Sequence, residues 1–392
     1  MLIARTPGAL PLPTADALAC SAALCSRIVA EIDAAGGWIG FDRFMDFALY
    51  TPGMGYYAGG AHKFGAAGDF LTAPELSDVF AQALGAQVAQ LLALGGPQII
   101  EVGAGSGQLA ADLLLELERR DRLPERYCIL ELSGELRARQ QATLSTRVPQ
   151  FLPLLRWLEC LPEDFEGLVL ANEVLDAMPV HLVVWNGEGI AERGVAVDSG
   201  QFTWRDRPAG GRLRERAQAL AAACAIAPGY LSEISMLAPA WIAQWAAILR
   251  RGALLLIDYG FPRHEYYHPQ RDAGTLMCHY RQHAHGEPFY LPGLQDITAH
   301  VDFTAIVEAG CEAGLELLGY STQASFLFNC GLTEILARTP ASEPLRYLPL
   351  ASAVQKLISP AEMGELFKVI ALGKGISEPL LGFANGDRSA TL

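Results

Sequence analysis

The stretch Ile99-Ile100-Glu101-Val102-Gly103-Ala104-Gly105-Ser106-Gly107 limits this chain to very few folds. A short apolar run leads into three glycines at alternate positions, and helical patterning resumes at Leu109. Glycine lets the backbone turn sharply and lets a ligand approach the main chain without meeting a Cβ. A helix starting there supplies unpaired N–H groups. Strand, glycine turn and helix in that order belong to a doubly wound α/β sheet that binds its ligand at the carboxyl ends of the strands. The dinucleotide form of the motif, Gly-x-Gly-x-x-Gly, is not met: the third glycine arrives one residue early and position 108 is Gln. That spacing disfavours a nicotinamide oxidoreductase.

From Gly96 onward, strands and helices alternate as in a parallel sheet. Gln98–Val102, Tyr127–Leu130, Leu154–Leu158, Gly167–Ala171 and Ala253–Ile257 read as successive strands. Leu315–Ser321 and Phe367–Leu372 read as two more, out of simple parallel order, and Leu109–Arg120 and Gly134–Leu144 as helices. Ahead of this region, helices over Ala15–Ala35, Phe41–Tyr50 and Ser77–Leu94 flank a glycine- and aromatic-rich loop, Gly53–Pro74. Small antiparallel strands at His181–Trp185, Gly189–Val197 and Gln201–Trp204, then helices across Arg212–Ala225 and Pro239–Leu249, form an insertion. Gly260–His300 reads as a long loop. The expected division is a helical and lid region over 1–95, a core over 96–180 and 252–375, an inserted substrate subdomain over 181–251, and a tail over 376–392.

Composition narrows the partners. With 51% hydrophobic and 18% charged residues, the chain is not disordered. A net charge of -14 repels phosphate backbones, so nucleic acid is not expected as a partner. Eight cysteines without a Cys-x-x-Cys fit reduced thiols in a cytoplasmic protein. Met1–Leu24 lacks the pattern of a secretion signal, and the most apolar stretch, Ile234–Leu249, is short for a bilayer span. The oligomeric state stays open between monomer and homodimer.

An acidic residue two places before the first glycine, as Glu101 is, with glycine at every second position, is the usual spacing for S-adenosylmethionine (SAM). On that reading Gly103, Gly105 and Gly107 admit the cofactor, and Glu101 orders the loop or meets the methionyl amino group. Glu131 ends the second strand, where a carboxylate accepts hydrogen bonds from ribose hydroxyls. Asn172-Glu173-Val174-Leu175-Asp176 ends the fourth strand, where substrate meets cofactor. The Asn-Pro-Pro-Tyr of methyltransferases acting on exocyclic amino groups is missing there. Carboxylates instead suit a cationic acceptor. Arginine, with a pKa above ~12, is a poor nucleophile until paired carboxylates hold its fork and stabilise charge during attack.

Longer motifs carry a family likeness. Ala48-Leu49-Tyr50-x-Pro52-x-x-Gly55-Tyr56-Tyr57, Phe64-Gly65-x-x-Gly68-Asp69-Phe70-x-Thr72-Ala73-Pro74-Glu75-x-Ser77 and Asn172-Glu173-x-x-Asp176-Ala177-x-Pro179 are three of them. Ile257-Asp258-Tyr259-Gly260, Gly274-Thr275-Leu276, Gln295-Asp296-Ile297-Thr298-Ala299-His300-Val301-Asp302-Phe303 and Met363-Gly364-Glu365-x-Phe367-Lys368-Val369 continue the pattern. Over roughly Phe44 to Gly375 the chain resembles the MidA-like methyltransferases, which include the mitochondrial complex I assembly factor that methylates arginine on a core complex I subunit. Val174-Leu175 stands where many members have Phe-Phe, and Met178 where Leu is common. The resemblance implies a class I SAM-methyltransferase fold: a Rossmann-like, seven-stranded α/β sheet with an N-terminal helical and loop lid and an inserted α+β subdomain. It implies SAM as cofactor, Asn172 beside it, and an arginine-bearing complex I subunit or homologue as protein substrate.

Asp69, Phe70, Thr72 and Pro74 read as a lid that keeps water from the cofactor. Glu173, Asp176 and His300 are the expected acceptor-side catalytic residues, His300 lying between Asp296 and Asp302. His279, His283 and His285 cluster beside Cys278, but without a second ligand pair of structural-site spacing no metal is expected. Glu233 reads as a surface residue at a helix start, with an acceptor carboxylate as the other choice, and Arg205–Arg216 as a solvated face. The opposing functional class is a non-catalytic assembly scaffold on the same fold, for which an open glycine loop has no use.

Overall fold

The computed structural model describes residues 10–59, 72–187 and 189–392, and these form two compact units. One contains 71–174, 240–262 and 301–392; the other contains the residues up to 70 together with 175–239 and 263–300.

The first unit is built on seven long strands: β1 (Gln98–Val102), β2 (Arg126–Leu130), β3 (Leu155–Leu158), β4 (Phe165–Asn172), β5 (Leu249–Phe261), β6 (Glu316–Thr322) and β7 (Phe367–Lys374). Their order across the sheet is β6-β7-β5-β4-β1-β2-β3. β3, β2, β1, β4 and β5 run parallel. β7 is antiparallel to both β5 and β6, which accounts for the two strands that break the simple order. The short segment Val301–Asp302 adds a parallel pairing at the end of β5. Strands covered on both faces need continuous apolar runs rather than alternation, and β5 shows this from Ala253 to Ile257. From β1 the chain builds outward to β3 and then returns to lay β4 on the other side of β1, so strand order reverses between β1 and β4. A crevice opens at the carboxyl ends of strands at such a reversal.

Helices pack on this sheet through apolar stripes. Gln108–Arg119 buries Leu109, Ala110, Leu113, Leu114 and Leu117, the spacing of one helix face. Gly134–Arg147 is capped by the Ser133 hydroxyl, which accepts the Leu136 N–H at 3.3 Å. The chain end expected as a tail turns at Leu381–Phe383 and buries Phe383 against Phe326.

The second unit joins residues that the sequence assigned to three separate regions. Its five-stranded antiparallel sheet runs Ile39–Gly40, Gly189–Asp198, His181–Asn186, Tyr230–Ile234, with Gln201–Pro208 also paired to Gly189–Asp198. Ile39 pairs with Val195, so the N-terminal helices and the insertion share one core that includes Leu24, Ile28, Phe41, Phe44, Leu182 and Cys278. The segment expected as a loop over 260–300 instead holds a turn of helix, Arg263–Tyr266, and a three-stranded sheet of Met277–Tyr280, His283–His285 and Asp296–Thr298. Strands of three or four residues are too short to show a period of two. The helix expected over Pro239–Leu249 runs Leu237–Ile248, and the start of the apolar stretch before it, Ile234, ends a strand, Tyr230–Ile234, that lies beside His181–Asn186. No described helix is long and apolar enough to cross a membrane.

Candidate active site

The glycine turn after β1 has the conformation its sequence demands. Gly103, Gly105 and Gly107 have φ of 64°, 53° and 83°, the left-handed region that costs a side-chain-bearing residue strain. Packing adds a second reason at two of them. A Cβ on Gly103 would lie 3.2 Å from Val174 Cγ2, and one on Gly107 3.2 Å from Gln140 Cα. The turn is pinned by the Gly103 N–H on Leu130 O at 3.1 Å and the Gly107 N–H on Ala104 O at 2.8 Å.

Glu101 lies inside the sheet beneath this turn, 3% exposed, and its Oε2 accepts the Tyr127 hydroxyl at 2.7 Å. Burial pushes its carboxyl up to about 7, against the Tyr127 hydrogen bond and with a further push from the Glu131 charge. The Tyr127 phenol is driven well above its ordinary value by the same burial and by Glu101. A carboxyl that changes charge near neutrality, directly under the turn, responds to any cation brought close to it.

Glu131, one residue past β2, is half-buried. Its Oε1 accepts the Ser133 N–H at 2.8 Å and its Oε2 accepts Gln140 Nε2 at 2.9 Å. Gln140 Nε2 also reaches Gly105 O at 3.2 Å, and Gln140 Oε1 accepts the Trp157 indole N–H at 3.0 Å. A glycine turn where added side chains would crowd Val174 and Gln140, next to a carboxylate that accepts Ser133 N–H and Gln140 Nε2, fits an adenosine-bearing cofactor.

Thr72 and Pro74 stand at the start of the helix Ala73–Leu76. Its Glu75 accepts a short hydrogen bond from the Ser106 hydroxyl, which ties this entry segment to the glycine turn. Asp69 and Phe70 lie outside the described residues.

At the end of β4, Glu173 has a φ of 53°, an uncommon conformation for a residue other than glycine and one that concentrates at functional sites. Three contacts hold it there. Its N–H donates to Ile257 O at 2.8 Å, Asn172 Nδ2 donates to its Oε1 at 3.0 Å, and the next N–H, of Val174, donates to Asp258 Oδ2 at 3.2 Å. Asp258 is 1% exposed, and its Oδ1 also accepts the Tyr259 N–H at 2.9 Å. The sequence marks Asp258 within a motif yet offers no sign of this task. Gln140, Glu75 and Ser106 are likewise positioned by partners far along the chain.

Asp176 and His300 belong to the second unit, so the expected site residues divide between the two. Asp176 is buried, and its carbonyl accepts the Ala299 N–H at 3.0 Å, which sets residues 176 and 300 on neighbouring segments. The His300 N–H donates to Thr275 Oγ1 at 3.0 Å, and that hydroxyl donates to Glu233 Oε2 at 3.0 Å. Glu233 is therefore not a surface helix start. It is 1% exposed, lies in a strand, and also accepts the Thr275 and Leu276 N–H groups at 2.9 and 3.0 Å and the Tyr266 hydroxyl at 3.2 Å. Asp296 Oδ1 accepts the Tyr57 hydroxyl at 2.9 Å.

In the histidine-rich segment Cys278 pairs with His285 and Tyr280 with His283 across adjacent strands, which places these four on one face, while His279, paired with Ala284, takes the other. Among the described residues, the mixed set that converges is Asp42, His181 and Glu192: His181 Nδ1 lies 2.7 Å from Glu192 Oε1 and 3.4 Å from Asp42 Oδ1. Burial works against the imidazolium there, but the two carboxylates outweigh it and raise the His181 pKa.

Comparison with known proteins agrees with this geometry. The sequence profile of a family of S-adenosyl-L-methionine-dependent methyltransferases matches residues 82–321. A Burkholderia thailandensis protein crystallised bound to S-adenosyl-homocysteine is 54% identical, with a TM-score of 0.94 over 98% of this chain and 100% of that one. The mitochondrial protein arginine methyltransferase NDUFAF7 of Danio rerio is 27% identical, covering 89% of this chain and 85% of its own. The corresponding protein of Mus musculus is 27% identical over 84% of this chain and 80% of its own.

Proposed function

The chain belongs to the S-adenosyl-L-methionine-dependent methyltransferases, and from that premise we propose that it methylates an arginine side chain of a protein, with a respiratory complex I subunit or its homologue as the acceptor. The names of the relatives, protein arginine methyltransferases, support the acceptor class. The cofactor, when bound, supplies an electrophilic methyl group on a sulfonium. The observation that carries the reading is Glu173: a carboxylate on a strained backbone, with its N–H, its Oε1 and the following N–H all restrained.

Each role follows from chemistry. Gly103, Gly105 and Gly107 give the cofactor access to the turn, and Glu131 accepts its ribose hydroxyls. Glu101 faces the methionyl ammonium as a carboxylate whose ionisation that cation favours. Asn172 orients Glu173 from the cofactor side. Glu173 holds a guanidinium through charge-assisted hydrogen bonds, so that one nitrogen is aimed and the charge that grows during attack is offset, and Asp176 is the second acceptor-side carboxylate expected from the motif. Aligning nucleophile and electrophile in this way accounts for much of the barrier reduction in a transfer that needs no covalent intermediate. Thr72 and Pro74, with Glu75 on Ser106, anchor the segment that keeps water away. His300 orients an acceptor-side carboxylate.

The test is transfer of a radiolabelled methyl group from SAM to a complex I core subunit homologue, followed by acid hydrolysis and amino-acid analysis. Label in methylarginine is the expected result. Label on any other residue overturns the acceptor assignment.

A further inference from the structure

We propose that Gln140 is a positioning residue that presets Glu131 for a vicinal diol and so makes the ribose hydroxyls a requirement for cofactor binding; the inference rests on the reading of Glu131 as the ribose carboxylate. The helix Gly134–Arg147 buries Leu136, Gln140 and Leu144, a stripe with a repeat of four. The middle of such a stripe is where an apolar side chain belongs. Gln140 sits there with 0% exposure. A buried amide is costly unless its hydrogen-bonding groups are satisfied. Here they are satisfied by the elements that frame the nucleoside crevice.

The orientation of the amide is forced. The Trp157 indole N–H is a donor only, so it needs the amide oxygen, and the contact is 3.0 Å. Glu131 Oε2 and Gly105 O are acceptors, so they need the amide nitrogen, at 2.9 and 3.2 Å. Flipping the amide would set oxygen against oxygen at Glu131 and N–H against N–H at Trp157. Trp157 therefore aims the Gln140 NH2 at the carboxylate and at the glycine turn together.

Ser133 N–H donates to Glu131 Oε1 and Gln140 to its Oε2. A carboxylate has capacity for about four hydrogen bonds, and a donor on each oxygen fixes its plane. A carboxylate already held in one plane accepts two hydroxyls of a diol without first losing rotamer freedom. Gln140 also ties the sugar carboxylate to the turn, because the same NH2 holds the Gly105 carbonyl. Its own Cα packs on Gly107, where a Cβ would come to 3.2 Å, so helix and turn form one frame.

The experiment is calorimetric titration of the full chain with S-adenosyl-homocysteine and with its 2′,3′-dideoxy analogue. The ratio of the two affinities is the diol preference. Gln140→Leu is expected to weaken S-adenosyl-homocysteine about tenfold, the loss of a charge-assisted hydrogen bond, and the dideoxy analogue less than about twofold. Equal weakening of both ligands, or a preference like that of the wild type, overturns the inference. Glu131→Gln separates the two layers: if it keeps the full preference, the ribose assignment of Glu131 is wrong and the inference falls with it. Trp157→Phe serves where Gln140→Leu does not fold, since it removes the N–H that aims the amide and keeps an aromatic ring in its place. A smaller drop in the same preference supports the inference, and an unchanged preference overturns it.

Discussion

The Tyr127 hydroxyl donates to Glu101 Oε2 at 2.7 Å, across two neighbouring strands and entirely inside the sheet. This bond keeps the acid at the head of the glycine motif in place while burial holds its carboxyl at about 7, well above the ordinary 4.5. Folding therefore takes up a proton between those values. The folded state binds more protons than the unfolded chain there, so this group's contribution to stability falls as pH rises from about 4.5 through about 7. The cost above neutrality reaches about 3 kcal/mol. Glu101→Gln keeps an acceptor for Tyr127 and never ionises. It is expected to melt several degrees above the wild type at pH 8 and to lose that advantage at pH 5. The same variant is expected to bind S-adenosyl-homocysteine more weakly and without the wild-type decline below pH 7. Melting curves and titrations across pH check both, and parallel pH profiles in the two proteins would contradict the assignment.

The strained turn at Glu173 predicts a trade between stability and activity. Glu173→Gly relieves a left-handed residue and is expected to stabilise the fold by up to about 1 kcal/mol while abolishing transfer. Asp258→Ala leaves the Val174 and Tyr259 N–H groups without their acceptor. It is expected to cost about 1–3 kcal/mol and to lower kcat more than cofactor affinity. Denaturant unfolding, initial rates and cofactor titration measured on the same preparations decide this. A Glu173→Gly protein with full activity would remove Glu173 from the mechanism.

Gly105→Val puts a branched side chain at a φ of 53° in the cofactor turn. Binding of S-adenosyl-homocysteine is expected to fall below detection by calorimetry, with stability reduced by about 1–3 kcal/mol. Affinity equal to that of the wild type would mean that the turn does not seat the cofactor.

His181, held between Glu192 and Asp42, has a raised pKa. A group with a raised folded pKa contributes stability that is full below the ordinary value of about 6.5 and is lost as pH rises through the folded value. His181→Asn is expected to be less stable than the wild type at pH 6 and to approach it at pH 9. Melting temperatures across that range check the sign, and a deficit that grows with pH would reverse it. The three side chains are also the set that would hold a divalent cation, so the same series run with EDTA separates an ion pair from a metal site.

Several features are legible in the residues because their causes are local. Glycines at 103, 105 and 107 declare left-handed backbone, and apolar runs declare strands buried on both faces. These sufficed for seven strands, their mixed direction and a SAM cofactor. Tertiary structure alone decided what holds each functional group. Gln140 meets Gly105 from 35 residues away, Asp258 meets Val174 from 84, and Glu233 meets Thr275 from 42. It alone showed that Ile39 pairs with Val195, so that the N-terminal helices and the insertion share one core. The physical reason is that a buried polar side chain must find its partner wherever the fold brings one, and propensity, periodicity and capping along the chain carry no record of that choice.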